Sequence, residues 1–302
     1  MYDTNSKGIS YTAGFFMLIA FAIAGLIFAS MIAGQVWVSM TGKTIEALSS
    51  GKFEPSDSWA YKIIQGISQV FGYFLPTLIV AITLNRKPLQ LIGYEWGFKW
   101  SQAGMVALII IIALIASGGL SYVTRIIPIP EVWRILFTKM EADYVKQVAA
   151  IINLNTPQDL IISLVFMAVI PAICEETLFR GGLQNFLTRS TKRPWVSIII
   201  VSLIFSAVHF SYYGFLSRFF LGIILGCLYH YSGRMWSNIL LHFLNNALAL
   251  TVLYITQQDG KPVSQAMTET DSGWWGLLAF PLVIGLLIYF KKISASSREA
   301  AV

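Results

Sequence analysis

The sequence predicts an all-α, polytopic integral membrane protein of about eight transmembrane helices, organised as a single membrane domain over residues 1–302. Three observations carry this. The chain is 56% hydrophobic and 12% charged, with mean hydropathy +0.67, whereas soluble domains are about 25% charged. Apolar runs recur at roughly the 20-residue length a helix needs to cross a bilayer. The polar residues that interrupt those runs fall at helical spacing.

The runs lie at about 12–36, 62–84, 103–122, 160–187, 195–213, 216–232, 236–256 and 273–290. The first exceeds the roughly 7–15-residue core of a signal peptide and reads as a retained span. The fourth is the least apolar. The fifth and sixth are separated only by "YYGFLSR". The longest connection, 123–159, places Val132, Ile135, Leu136, Met140, Tyr144 and Val148 at helical spacing among charges. It reads as an amphipathic helix at the membrane surface or as an ordinary helix in a capping loop. Residues 257–272 are polar and read as a loop. Trp37, Trp96, Trp100, Trp195, Trp236, Trp274 and Trp275 fall near expected span ends, where tryptophan anchors helices at the interface.

Eight spans put both termini on one side. The clusters Arg86-Lys87, Lys192-Arg193 and Lys291-Lys292 fall on that side, which marks it as cytoplasmic. This topology accounts for the net charge of +6. No basic patch with interleaved aromatics appears, so no nucleic-acid partner is expected. The two cysteines, Cys174 and Cys227, lie in apolar segments and form neither a disulfide framework nor a CxxC pattern.

Ionisable groups inside a span are expensive and by default point to function. The fourth span carries Glu175, Glu176 and Arg180. Glu176 and Arg180, four apart, stack on one helix face and can pair. Glu175 sits about 100° round the helix and is the freer carboxylate. Pro171, one turn earlier, removes a backbone bond and can kink the span. Gly182 would let another helix approach closely. A salt bridge that serves packing alone is the competing reading. The fifth span carries a stripe of Ser202, Ser206 and His209, with Phe205 one turn before the histidine; an interfacial histidine is the alternative. The seventh carries Asn238, His242, Asn245 and Asn246 along one face. These must face the bundle interior or water, for chemistry or for helix–helix hydrogen bonding. His230 reads as interfacial.

A glutamate, two histidines and an asparagine on three spans suit amide hydrolysis. A carboxylate base activates water when its pKa lies near the working pH, a role that suits Glu175 with His209 holding the same water. His242 and Asn246, one turn apart, could donate to the developing oxyanion. Glu175, His209 and His242 would also make a three-ligand zinc site with an open position, although no H-E-x-x-H is present. Asparagine is a poor zinc ligand and a good oxyanion donor, which favours metal-independent activation. A Cys174 nucleophile is disfavoured by the charge of adjacent Glu175.

The three segments resemble the CPBP family of intramembrane proteases, also described as the CAAX-protease, bacteriocin-processing or Abi family. The motifs E-E-x-x-x-R, F-x-x-x-H and H-x-x-x-N/D stand as Glu175-Glu176 to Arg180, Phe205 to His209, and His242 to Asn246. The resemblance implies eight helices around a membrane-embedded cavity, with a catalytic core over 160–256. It also implies Glu175 and His209 as the water-activating pair and His242 with Asn246 as the oxyanion site. The expected support is Glu176, Arg180 and Phe205. The implied substrate is a peptide or lipidated protein, such as a prenylated CaaX tail, met together with membrane lipid. The metal requirement stays open. A non-enzymatic scaffold or bacteriocin-immunity protein using the same cavity is the other reading. A proton-coupled transporter is a third, disfavoured because no internal repeat is visible.

Overall fold

In the computed structural model, residues 4–51, 53–95, 97, 99–268 and 273–299 are described; Trp96 lies outside them. No strand occurs among these residues. We number the main helices α1 (Tyr11–Thr41), α2 (Pro55–Leu84), α3 (Trp100–Ile126), α4 (Glu131–Ile151), α5 (Pro157–Thr191), α6 (Pro194–Ala207), α7 (Phe215–Ser232), α8 (Met235–Gln258) and α9 (Trp274–Ala295). Seven of these, all but α4 and α6, are long and apolar enough to span a membrane. The protein is thus a multi-pass, all-α membrane protein.

The fifth expected span is shorter than its apolar run. α6 has 14 residues, about 21 Å of helix against a hydrocarbon core of roughly 30 Å. It ends at Ala207, the chain turns through 208–214, and Phe210 takes a left-handed φ of 49°. Ser206 Oγ donates to Phe215 O at 2.7 Å and so ties the start of α7 to the end of α6. α6 nevertheless carries the chain from one end of the bundle to the other, because α7 returns antiparallel beside it, with Phe215 at Ser206, Gly222 against Ser202 and Gly226 against Ile198. The chain therefore traverses the bundle eight times, once by a short helix.

Local sequence sets the helix ends. Ser10 caps α1 by accepting from Ala13 N, and Gly42, at φ 67°, closes it. "NTPQD" starts α5 with a Thr156–Asp159 capping box and a proline in the first turn. Two prolines inside helices, Pro76 in α2 and Pro171 in α5, each follow a π-helical turn, Val70–Phe74 and Val165–Val169. Proline lacks an N–H and its ring collides with the carbonyl four residues back. Widening the preceding turn accommodates both defects without ending the helix.

Two apolar cores flank the middle of the bundle. One joins α1, α2, α5 and α6 through Leu18, Val80, Leu178, Phe186 and Phe205. The other joins α3, α7, α8 and α9 through Val106, Ile110, Leu225, Leu241 and Phe290. α5 and α8 meet between them. The long connection does form a helix, α4, which lies against the 208–214 turn. Phe137 stacks on Tyr212 at 4.5 Å, Tyr213 and Thr138 share a hydrogen bond of 3.1 Å, and Ser211 Oγ donates to Glu141 at 3.0 Å.

Candidate active site

The polar groups of α5 and α8 converge at the seam of the two cores. Glu176 is fully buried and Arg180 nearly so. Arg180 Nη1 donates to Glu176 Oε1 at 3.1 Å, the i,i+4 pairing that the spacing predicts. His242 Nδ1 lies 2.8 Å from the same oxygen. Asn238 Nδ2 reaches Glu176 Oε2 at 3.4 Å and donates to Leu225 O at 2.6 Å. Glu176 is therefore the hub, holding one arginine, one histidine and one asparagine. A second π-helical stretch of α5, Thr177–Gln184, begins immediately after it, and such turns are frequent at functional sites. Removing either partner of a buried pair like Glu176–Arg180 typically costs about 3–5 kcal/mol, because the other charge is stranded.

Phe205 explains itself by contact. Its ring lies 4.6 Å from the Arg180 guanidinium carbon, and meets Phe179 edge-on at 5.2 Å, His209 at 5.0 Å and His242 at 6.0 Å. One aromatic ring thus spaces the two histidines and caps the buried cation.

Glu175 is buried and separate from the arginine. Its Oε1 accepts from Gln69 Nε2 of α2 at 2.9 Å. Its Oε2 lies 3.8 Å from His242 Nε2, beyond direct hydrogen-bond range. Glu175 Oε2 and Gln69 Oε1 are both buried acceptors without a hydrogen-bond partner. Such groups normally find a donor, so the pair marks where a donor such as water fits.

The histidine tautomers follow from the partners. His209 Nδ1 sits 2.7 Å from Phe205 O. A carbonyl only accepts, so Nδ1 carries the proton and Nε2 presents a lone pair. Glu175 and His242 are among the groups whose charge acts on His209. His242 Nδ1 donates to the Glu176 carboxylate, which leaves Nε2 facing Glu175. Asn246, half-buried one turn beyond His242, donates to Met167 O at 3.4 Å and accepts from Asn245 Nδ2 at 3.0 Å. The structure thus brings together Glu175, Glu176, Arg180, Phe205, Asn238 and His242, sets His209 at their margin, and turns Asn246 toward α5.

Gly182 does admit close approach, by α1 and α2: a Cβ there would lie 2.3 Å from Leu18 Cδ2 and 3.2 Å from Thr77 Cγ2. No group of three His, Cys, Asp or Glu side chains arranged to hold a metal ion occurs among the described residues. Cys174 is buried and free. Gln69 escaped the sequence reading, although a signal was present. Gln65 and Gln69 stand one turn apart in the apolar run of α2, and a buried amide raises the same question as a buried asparagine.

Residues 157–248 match the family model described as Type II CAAX prenyl endopeptidase Rce1-like. No curated protein and no solved structure matches the chain. The matched stretch runs from the start of α5 to beyond Asn246 and contains all three motifs, so the part of the chain that carries them is similar to that family.

Proposed function

We propose that the protein is an intramembrane endopeptidase that hydrolyses a peptide bond in a membrane-associated, prenylated CaaX-type substrate by glutamate-activated water. The observation that carries this is Glu175: a buried carboxylate with one oxygen fixed by Gln69 and the other left facing His242 Nε2. In the family it resembles, the first glutamate of the motif activates water.

The residues divide the work as follows. Water bonded to Glu175 Oε2 gives up its proton to that oxygen as it attacks the scissile carbonyl. His209 Nε2, the lone-pair nitrogen, accepts the water's second O–H and orients it. His242, with Nδ1–H already on Glu176, donates from Nε2 only as the imidazolium, and the neighbouring Glu176 balances that charge. Protonated, it stabilises the oxyanion together with the Asn246 amide. Glu175 then returns its proton to the leaving amine. The burial of the seam between two apolar cores strengthens each of these interactions. We place both termini, and the basic end of the bundle, in the cytoplasm.

The test is cleavage of a quenched-fluorescent prenylated CaaX peptide by wild type and Glu175→Gln in detergent. The near-isosteric change should leave expression and thermal stability intact and lower kcat at least about 100-fold. Full turnover by the variant would remove Glu175 from the chemistry.

A further inference from the structure

We propose that a polar pocket at the basic end of the bundle, separate from the carboxylate seam, binds the phosphate headgroup of an anionic membrane lipid. The cavity measures about 470 Å³ and is walled by the last turns of α5, the α7–α8 turn and the 90–95 connection. Arg189 lies 14 residues beyond Glu175 on α5, about 21 Å along the helix axis.

Arg189 and Arg234 bring two positive charges to the pocket, with His230 beside them, against one carboxylate among the described residues, Glu95. Arg234 makes no ion pair among the described residues; its Nη1 donates to Gly97 O, which fixes the guanidinium at the rim. Arg189 is oriented by Asn185 Oδ1 at 2.9 Å and stacks over Tyr11 at 5.1 Å. Two guanidiniums with fixed planes suit the paired oxygens of a phosphate. The neutral lining adds hydroxyl and amide groups, with Gln184 and Ser232 both more than nine-tenths buried.

The apolar surroundings favour a lipid over a soluble anion. Beside the pocket, the Trp195 ring lies 6.2 Å from His230 and 6.4 Å from Tyr231. From Trp195 an exposed apolar ridge, Val196, Ile199, Ile200 and Leu203, runs down α6. A headgroup in the pocket would leave its acyl chains along that ridge. Basic pockets between transmembrane helices at the Lys/Arg-rich face are suited to such headgroups.

The experiment is native mass spectrometry of the full chain titrated with phosphatidylglycerol or phosphatidylcholine, with inorganic phosphate as competitor. Wild type should retain phosphatidylglycerol in preference to phosphatidylcholine. The double variant Arg189→Gln/Arg234→Gln should lose that preference by roughly tenfold or more, and Arg189→Lys/Arg234→Lys should keep part of it. Thr188→Trp, which fills the cavity without removing a charge, should also lose it, and covers the case in which the arginine variants do not fold. Equal retention of both lipids by wild type would overturn the proposal. An undiminished preference in Thr188→Trp would do the same, by assigning it to the surface lysines and arginines. Displacement of the lipid by millimolar phosphate would assign the pocket to the free ion and overturn the lipid source.

Discussion

At the scale of single residues, the seam separates two adjacent carboxylates by partner rather than by burial. Glu176 is saturated by Arg180, His242 and Asn238, whereas Glu175 holds one amide and keeps an oxygen for a further donor. The i,i+4 spacing of Glu176 and Arg180 made their pairing legible in the sequence. The other three partners, His242 and Asn238 of α8 and Gln69 of α2, were not legible, because no local rule fixes which face of one helix meets another. Gln69 is the sharpest case, since it lies about 100 residues from the carboxylate it touches and outside the stretch that matches the family. A hydrogen bond to a charged acceptor contributes about 1.5–3 kcal/mol, so Gln69→Ala should lower kcat roughly 10- to 100-fold with KM little changed. Gln69→Glu should lower kcat further, since it replaces the amide donor with a second acidic group against Glu175. An unchanged kcat in both variants would make Gln69 a packing residue only.

At the scale of helices, the apolar runs and caps located most elements, because length, proline, glycine and capping residues act locally. The sequence reading failed where geometry overrides composition. The run 195–213 stays apolar beyond Ala207, yet the helix stops there, since Ser206 is taken by Phe215 O and Phe210 adopts a left-handed backbone. The π-helical turns were equally invisible, although two of the three, Val70–Phe74 and Val165–Val169, precede a proline. They also create close approaches. The wide turn at 70–74 brings Phe71 O to α1, where a Cβ on Gly25 would lie 2.1 Å from that oxygen. A backbone atom cannot rotate away, so Gly25→Ala should destabilise the protein by about 1–3 kcal/mol. Gly104→Ala in α3, where a Cβ meets nothing within 4 Å, should be neutral or slightly stabilising. Thermal unfolding of the two variants in detergent compares them directly; equal midpoints would mean that α1 and α2 are not in close contact at this glycine.

At the scale of the whole molecule, contacts sort the connections into two ends. Lys7 N donates to Leu84 O, Asn185 to Leu91 O, Gln102 to Ser294, and Lys291 lies over Tyr231, so both chain ends share one end of the bundle. There the connections carry Arg86, Lys87, Lys99, Lys192, Arg193 and Arg234 against Glu95. The opposite end holds α4, the His209 turn and the 259–262 connection, with Gln258 Nε2 on Leu154 O. Its clusters of Lys and Arg are the basis for our proposal that the first end is cytoplasmic. The two native cysteines, Cys174 and Cys227, are both less than 5% exposed, so single cysteines introduced at the surface can be read without background. With a membrane-impermeant maleimide on intact cells, Asp259→Cys should label at once, and Thr4→Cys and Ala295→Cys only after permeabilisation. The reverse pattern would invert the molecule. Opposite labelling of Thr4→Cys and Ala295→Cys would mean that short α6 fails to carry the chain across. The proposed orientation also constrains the proposed substrate. With the termini inside, the His209 margin of the seam faces away from the cytoplasm. A prenylated tail made in the cytoplasm would then have to reach Glu175 between helices, from within the bilayer.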